Sequence, residues 1–449
     1  VAPSQPFSRR DLGRTVLTLA LPALGAEVAQ PVFVAIDSAI VGHLGRIPLG
    51  GLSAATAIIG ATVGMMVFLA YATTPAVARL LGSGRPGPAV SAGIDGMWLA
   101  ALAGVVLTMV GEFVAGPLAR VMTADAAVAA AAELYLRIGL LGLAPQLVGM
   151  AAVGLLRGLQ NTRTPLVVVT IGFAVNAALN ALLVYGIGWG LAGSAAGTAL
   201  VQWGLATVYA VIAVRLARRH SARMRPSWTA LGAVAHGGGW LLLRTASLQF
   251  GLLMTVRLAA GGGAVVLAGY QVVVAVFGIL QYALDALGVS AQALIGKLRG
   301  QGDTDRLRAL VRLMARWGTA AGAGLAVALI AVHPWLGWLF TTDREVLAAV
   351  APALLVLSLT LPLSGFVYAL DGILIGAEDF RYLAIAGGIN VAVFIPAWIG
   401  LRTLIAGGHV PAWGALVLAW SAFGAVFSCS RAATLGLRLR ARGWWTLLR

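Results

Sequence analysis

A chain with only 15 acidic residues in 449 has few places to do chemistry, and the most expensive of them lie between Leu21 and Gly42. The run LPALGAEVAQPVFVAIDSAIVG is long enough to span a bilayer, yet it carries Glu27, Gln30, Asp37, Pro22 and Pro31. A carboxylate near the middle of a spanning helix costs about 2.5–3.5 kcal/mol on insertion scales, so it normally faces a bundle interior or a wet cavity and marks an ion pathway. On a helix, Gln30 and Asp37 are seven residues apart and share a face, with Glu27 one turn before Gln30. Each proline removes a backbone hydrogen bond, which eases bending wherever neighbouring groups take up the freed carbonyls. The stretch therefore predicts a proton or cation site at Asp37 on a helix hinged at Pro22 or Pro31.

The other polar groups at membrane depth can be taken one by one. Asn176 and Asn180, four residues apart, present two amides on one face. They could give carbonyl oxygens to a cation or hydrogen bonds to Asp37, and a helix-packing clamp fits the same spacing. Glu133 and Arg137 at i, i+4 can satisfy each other, a structural pair. Gln281, Asp285 and Gln292 follow spacings of four and seven and form a polar stripe, which makes them, with Gln30 and Arg244, candidates to line a substrate cavity. Arg244 is the one deeply placed cation, with an acid such as Asp285 as its natural partner. Asp371 lies just before a glycine turn, where partial solvation is expected.

No catalytic constellation competes with these. His43, His220, His236, His333 and His409 are scattered without HExxH or any paired metal spacing, and no base is positioned for a nucleophile. Cys429 is the sole cysteine, which rules out an intramolecular disulfide and a thiol metal site. Gly82-Ser83-Gly84-Arg85-Pro86-Gly87 lacks the GK[ST] ending of a phosphate loop. The expectation is a protein that is not an enzyme and holds no cofactor beyond a coupling ion.

The elements that must position these groups follow from composition. At 60% hydrophobic, 10% charged and mean hydropathy +0.93, the chain is far more apolar than a soluble domain. Its net charge of +16 comes mostly from arginines set between apolar runs, which are topology signals rather than a nucleic-acid surface. The polar start VAPSQPFSRRDLGR has no small-residue cleavage site behind a short apolar core, so the first helix is expected to be retained. Twelve spans are predicted, near 15–42, 51–81, 89–113, 127–155, 164–187, 191–217, 236–260, 264–295, 306–333, 346–376, 381–402 and 411–437. About 24 Lys or Arg fall on the side of the termini and about five on the other, which places both termini in the cytoplasm.

The chain also repeats. Gly82 and Gly84 match Gly300 and Gly302, and Gly154, Gly158 and Arg163 match Gly372, Gly376 and Arg381, all at an offset of 218, with Asn161 meeting Asp379. These glycines are read as tight reversals in cytoplasmic turns. Six spans per copy make the repeat parallel, about an axis along the membrane normal. The predicted class is an all-α membrane protein of twelve transmembrane helices in two six-helix lobes: 1–220, a basic cytoplasmic linker at 221–235, and 236–449. The charges did not duplicate with the fold: Asp37, Asp285, Asp371 and Arg244 meet Thr255, Val67, Val153 and Ala26.

Five stretches give the chain a family likeness: LALPALG with an acid fifteen residues after its proline, LLRGLQNTRTP, GIGWGLAGSAAGTALVQ, LDGILIGAEDFR, and YALDALGVSAQALIGKLRGQGD. The sequence resembles the multidrug and toxic compound extrusion transporters, in the branch named for the DNA-damage-inducible F protein. The resemblance implies two six-helix lobes in a V around a central cavity, exporting cationic or amphipathic compounds in exchange for H⁺ or Na⁺. The family's first-helix acid falls on Asp37, its bending proline on Pro22, and its fifth-helix Asn…Asp pair on Asn176 and Asn180. An amide here replaces the second acid, which puts a two-carboxylate Na⁺ site in doubt and makes Asp37 the main titrating group of its lobe. A lipid-linked precursor flippase of the same superfamily is the alternative. The reading implies a monomer in a bacterial inner membrane, with a small molecule and the bilayer as partners and no nucleic acid.

Overall fold

The computed structural model describes residues 9–407 and 410–447, and these contain helices and no strand. Hydrocarbon offers no hydrogen bonds to a backbone, so an apolar chain of this composition satisfies its peptide groups within helices. In the first half they are α1 (Arg9–Gly42), α2 (Arg46–Met65), α3 (Phe68–Gly82), α4 (Pro86–Met122), α5 (Ala126–Leu140), α6 (Leu143–Gly158), α7 (Arg163–Ala181) and α8 (Gly190–Arg219). The second half adds α9 (Trp228–Gly261), α10 (Ala264–Gln301), α11 (Thr304–Leu336), α12 (Arg344–Gly376), α13 (Phe380–Ala406), α14 (Ala412–Ser421), α15 (Ser428–Arg440) and α16 (Arg442–Leu447). Among the described residues, 11 helical stretches are long and apolar enough to cross a membrane, and α5 with α6, bent by 52° at their junction, complete a set of 12. The protein is a multi-pass membrane protein.

The chain forms two compact units. One is Leu21–Gly238, and the other joins Gly239–Arg449 to the N-terminal stretch up to Ala20. The units change within α1 and α9, each of which runs on as an unbroken helix. In the first unit, Leu52, Ala55, Ala132, Tyr135, Leu136 and Ala195 belong to a buried core in which alanines alternate with larger side chains. The second unit is built around rings: Tyr270 stacks on Trp420 at 5.6 Å, and Phe423 stacks on Phe427 at 5.5 Å.

The duplication is written into the backbone. Positive φ occurs at Gly45 (117°) and Gly263 (93°), at Gly84 (74°) and Gly302 (70°), and at Gln160 (65°) and Glu378 (61°), each pair 218 residues apart. Gly84 and Gly302 are the left-handed turn residues the sequence suggested. Gly154, Gly158, Gly372 and Gly376 are not turn residues. They sit inside helices at close crossings: a Cβ on Gly154 would lie 2.9 Å from the Ala70 carbonyl oxygen, and one on Gly372 would lie 2.5 Å from that of Gly288. Gly158 likewise meets Thr74 and Val77, and Gly376 meets Gln292 and Ile295, so one crossing has been copied whole. The matched Asn161 and Asp379 have diverged: Asn161 accepts from the Thr164 N–H, while Asp379 pairs with Arg438 at 2.8 Å.

Candidate coupling site

Asp37 is buried in the first unit, 5% exposed, at a point where α1 meets α7 and α8. Its Oδ1 accepts two hydrogen bonds, from Asn180 Nδ2 at 2.7 Å and Ser194 Oγ at 2.9 Å. Phe33, one turn earlier on α1, stacks on Phe173 of α7 with centroids 4.7 Å apart, which holds the two helices in this register. Asn180 Nδ2 also lies 3.4 Å from Thr198 Oγ1, and the Tyr135 hydroxyl is within reach of Ser194 and Thr198.

The small residues of α8 let this cluster close. Gly197, between Ser194 and Thr198, faces Asn180 so tightly that a Cβ there would stand 2.1 Å from Asn180 Oδ1. Asn176 and Asn180 are both buried, and the Oδ1 of each has no hydrogen-bond donor. A buried carboxylate that meets only an amide and a hydroxyl is suited to taking up a proton or a small monovalent cation. No group of three His, Cys, Asp or Glu that could hold a metal occurs among the described residues.

Other predicted residues are placed elsewhere. Gln30 is exposed, so the shared face with Asp37 does not bring it into the cluster. Glu27 pairs with Arg157 of α6 at 2.7 Å. Pro22 and Pro31 both lie within the continuous α1. Glu133 and Arg137 form the expected pair at 2.8 Å, joined by Glu112 at 3.5 Å.

In the second unit Asp371 enters the ion pairing of Arg244, which the sequence reading did not expect. Arg244 donates to Asp371, and Arg431 of α15 approaches the other carboxylate oxygen at 3.6 Å. Asp371 is therefore buried between two arginines rather than partly solvated. Arg244 is not the one deeply placed cation either, since Arg157 and Arg431 are enclosed to a similar degree. Gln281 and Asp285 are half-buried on α10, and Gln292 is buried where α10 crosses α12 at Gly376. His409 lies outside the described residues.

Ser194, Thr198 and Tyr135 were missed in the sequence. The first two stand within GIGWGLAGSAAGTALVQ, whose small-residue spacing marks a close helix approach, and that signal could have flagged them.

Up to 12 apolar spans among the described residues, in a duplicated chain with a buried carboxylate held by an amide and a hydroxyl, fit a membrane transport protein. The MatE family model matches residues 22–182 and 241–398, and the chain belongs to that family, the multidrug and toxic compound extrusion transporters. It is 29% identical over 392 residues to the Arabidopsis thaliana protein DETOXIFICATION 44, chloroplastic, covering 83% of this chain and 74% of that protein. To the DNA damage-inducible protein F of Escherichia coli it is 24% identical over 400 residues, covering 86% of each. The fold matches that of an outward-facing MATE family multidrug resistance transporter with a TM-score of 0.86 at 17% identity, covering 98% of this chain and 97% of that one.

Proposed function

We propose that the protein is a secondary active antiporter that exports cationic or amphipathic small molecules in exchange for H⁺ or Na⁺, with Asp37 as the coupling carboxylate. The observation that carries this reading is a contrast in partners. Of the buried acids among the described residues, Asp95 and Asp371 are met by arginines, whereas Asp37 is met only by neutral donors. An acid neutralised by a fixed guanidinium cannot readily exchange its charge with the medium. One held by an amide and a hydroxyl can take up a proton, because no fixed cation opposes it.

Loading the site removes the charge that Asn180 and Ser194 donate to. α1 then loses its polar hold on α7 and α8 and can bend at Pro22 or Pro31. A charge change worth a few kcal/mol is enough to shift a two-state equilibrium of this kind. The undonated carbonyls of Asn176 and Asn180 favour a second version of the same step, in which Na⁺ replaces the proton. Gln281 and Asp285, half-buried on α10, are assigned to the exported cation. The arginine excess supports both termini lying on the cytoplasmic side, and we take the membrane to be a bacterial inner membrane and the protein to act as a monomer.

The test is efflux of a fluorescent organic cation from proteoliposomes under an imposed pH gradient, with and without a Na⁺ gradient. Transport driven by either gradient and lost in Asp37→Asn supports the reading. Wild-type protein that moves the probe under neither gradient overturns it.

A further inference from the structure

Arg308, Arg312 and Arg316 recur every four residues on α11 and form a stripe along one face of its first turns. All three are exposed. Arg308 lies over the Trp445 ring at 5.5 Å and makes a long 3.8 Å contact with Asp305, which is itself 97% exposed. Arg312 and Arg316 pair with no acid among the described residues. From Trp317 to Leu336 the helix carries no Lys, Arg, Asp or Glu over about 30 Å, the thickness of the hydrocarbon layer, and its one titratable group, His333, lies near the far end. Arg316 therefore stands at the hydrocarbon edge, and Arg312 stands about 6 Å further out, in the headgroup layer. Arg308 is one turn beyond, where its long stem can reach back.

The internal repeat shows that this face is not an incidental product of the fold. Residues 218 earlier on α4 are Val90, Ile94 and Trp98, and the first two are buried at 0% and 7% exposure. There the chain after α8 lies along the helix: Arg223 bonds to Ser91 and Asp95, Ser227 N–H donates to Asp95, and Trp98 Nε1 donates to the Met224 carbonyl. The same helix face is thus apolar in one copy, buried at Val90 and Ile94 with Trp98 half exposed, and cationic and exposed in the other. Arginine pairs well with phosphate through its planar fork, and an aromatic ring beside it suits the membrane interface.

We propose that the Arg308–Arg312–Arg316 face of α11, flanked by Trp445, binds the phosphate headgroups of anionic phospholipids in the leaflet on the arginine-rich side. The stripe engages adjacent headgroups, with Arg312 and Arg316 supplying most of the attraction because no acid competes for them. This assignment does not depend on the coupling mechanism at Asp37.

The full-length protein is delipidated in a neutral detergent and titrated with phosphatidylglycerol or with phosphatidylcholine of the same chains. Bound lipid is counted by native mass spectrometry. Wild type is expected to retain phosphatidylglycerol in preference to phosphatidylcholine. Arg312→Gln with Arg316→Gln is expected to weaken phosphatidylglycerol binding about fivefold per arginine removed. Arg312→Lys with Arg316→Lys should keep much of the preference. Arg218→Gln with Arg219→Gln removes equal charge at the exposed end of α8 and should leave binding unchanged. The proposal is overturned if both glutamine variants lose binding equally, if wild type shows no preference between the lipids, or if glycerol 3-phosphate at the same concentration displaces the lipid. The altered side chains are exposed, so equal melting temperatures are expected, and a variant that melts lower is replaced by the corresponding single substitution.

Discussion

Gly197→Ala tests the coupling site without replacing a charged or hydrogen-bonding side chain. The added methyl would lie 2.1 Å from Asn180 Oδ1, more than an ångström inside contact distance. The carbonyl end of a side chain gives way before a helix backbone does, so the Asn180 amide must shift by about an ångström. Its bond to Asp37 is 2.7 Å long, and a displacement of that size either stretches it past hydrogen-bonding range or compresses it unacceptably. A hydrogen bond to a charged group is worth about 1.5–3 kcal/mol, so binding of the coupling ion should change by roughly 10- to 150-fold. The assay is the half-saturating proton or Na⁺ concentration for efflux in proteoliposomes. Gly204→Ala, about two turns further along α8 where a Cβ meets nothing within 4 Å, is the control and should behave as wild type. If Gly197→Ala matches that control in rate and ion dependence, the Asp37–Asn180 contact has no part in coupling.

Further outcomes follow from the same geometry. Asp37→Asn should abolish pH-driven efflux while the protein still inserts and purifies as a single species, because the amide mimics the protonated acid; normal transport would shift coupling to Asp285. Asn180→Asp places a second carboxylate beside Asp37 and should add Na⁺ dependence or alter the pH profile of efflux, measured by repeating transport over a pH series with and without Na⁺. Asp371→Asn leaves the buried Arg244 and Arg431 without their acid and should destabilise the fold by about 3–5 kcal/mol, read as a lower melting temperature in detergent. Gly372→Ala would drive a methyl to 2.5 Å from the Gly288 carbonyl and should cut the yield of monodisperse protein, whereas Gly388→Ala, with nothing within 4 Å, should not.

Much of this molecule was legible in the sequence because a bilayer imposes demands that are local and one-dimensional. A span needs a set length of apolar residues, so twelve could be counted, and a 218-residue offset between glycine motifs exposed the duplication before any coordinates. Asp37 stood out for the same reason: its placement in hydrocarbon is costly wherever the helix turns. Only the tertiary structure decided which partner each charge meets. Asp37 lies 143 residues from Asn180 and 157 from Ser194, and Asp371 lies 127 from Arg244. Those pairings depend on helix rotation and register, which are set by how closely glycines such as Gly197 and Gly372 let neighbouring helices approach. The spacing of a glycine in sequence is the same whether it turns the chain or seats a crossing helix, so the turn reading of Gly154 and Gly372 could be corrected only by seeing what stands against them. The packed helices bring Asp371 between two arginines and leave Asp37 with an amide and a hydroxyl, the arrangement in which its charge is free to change.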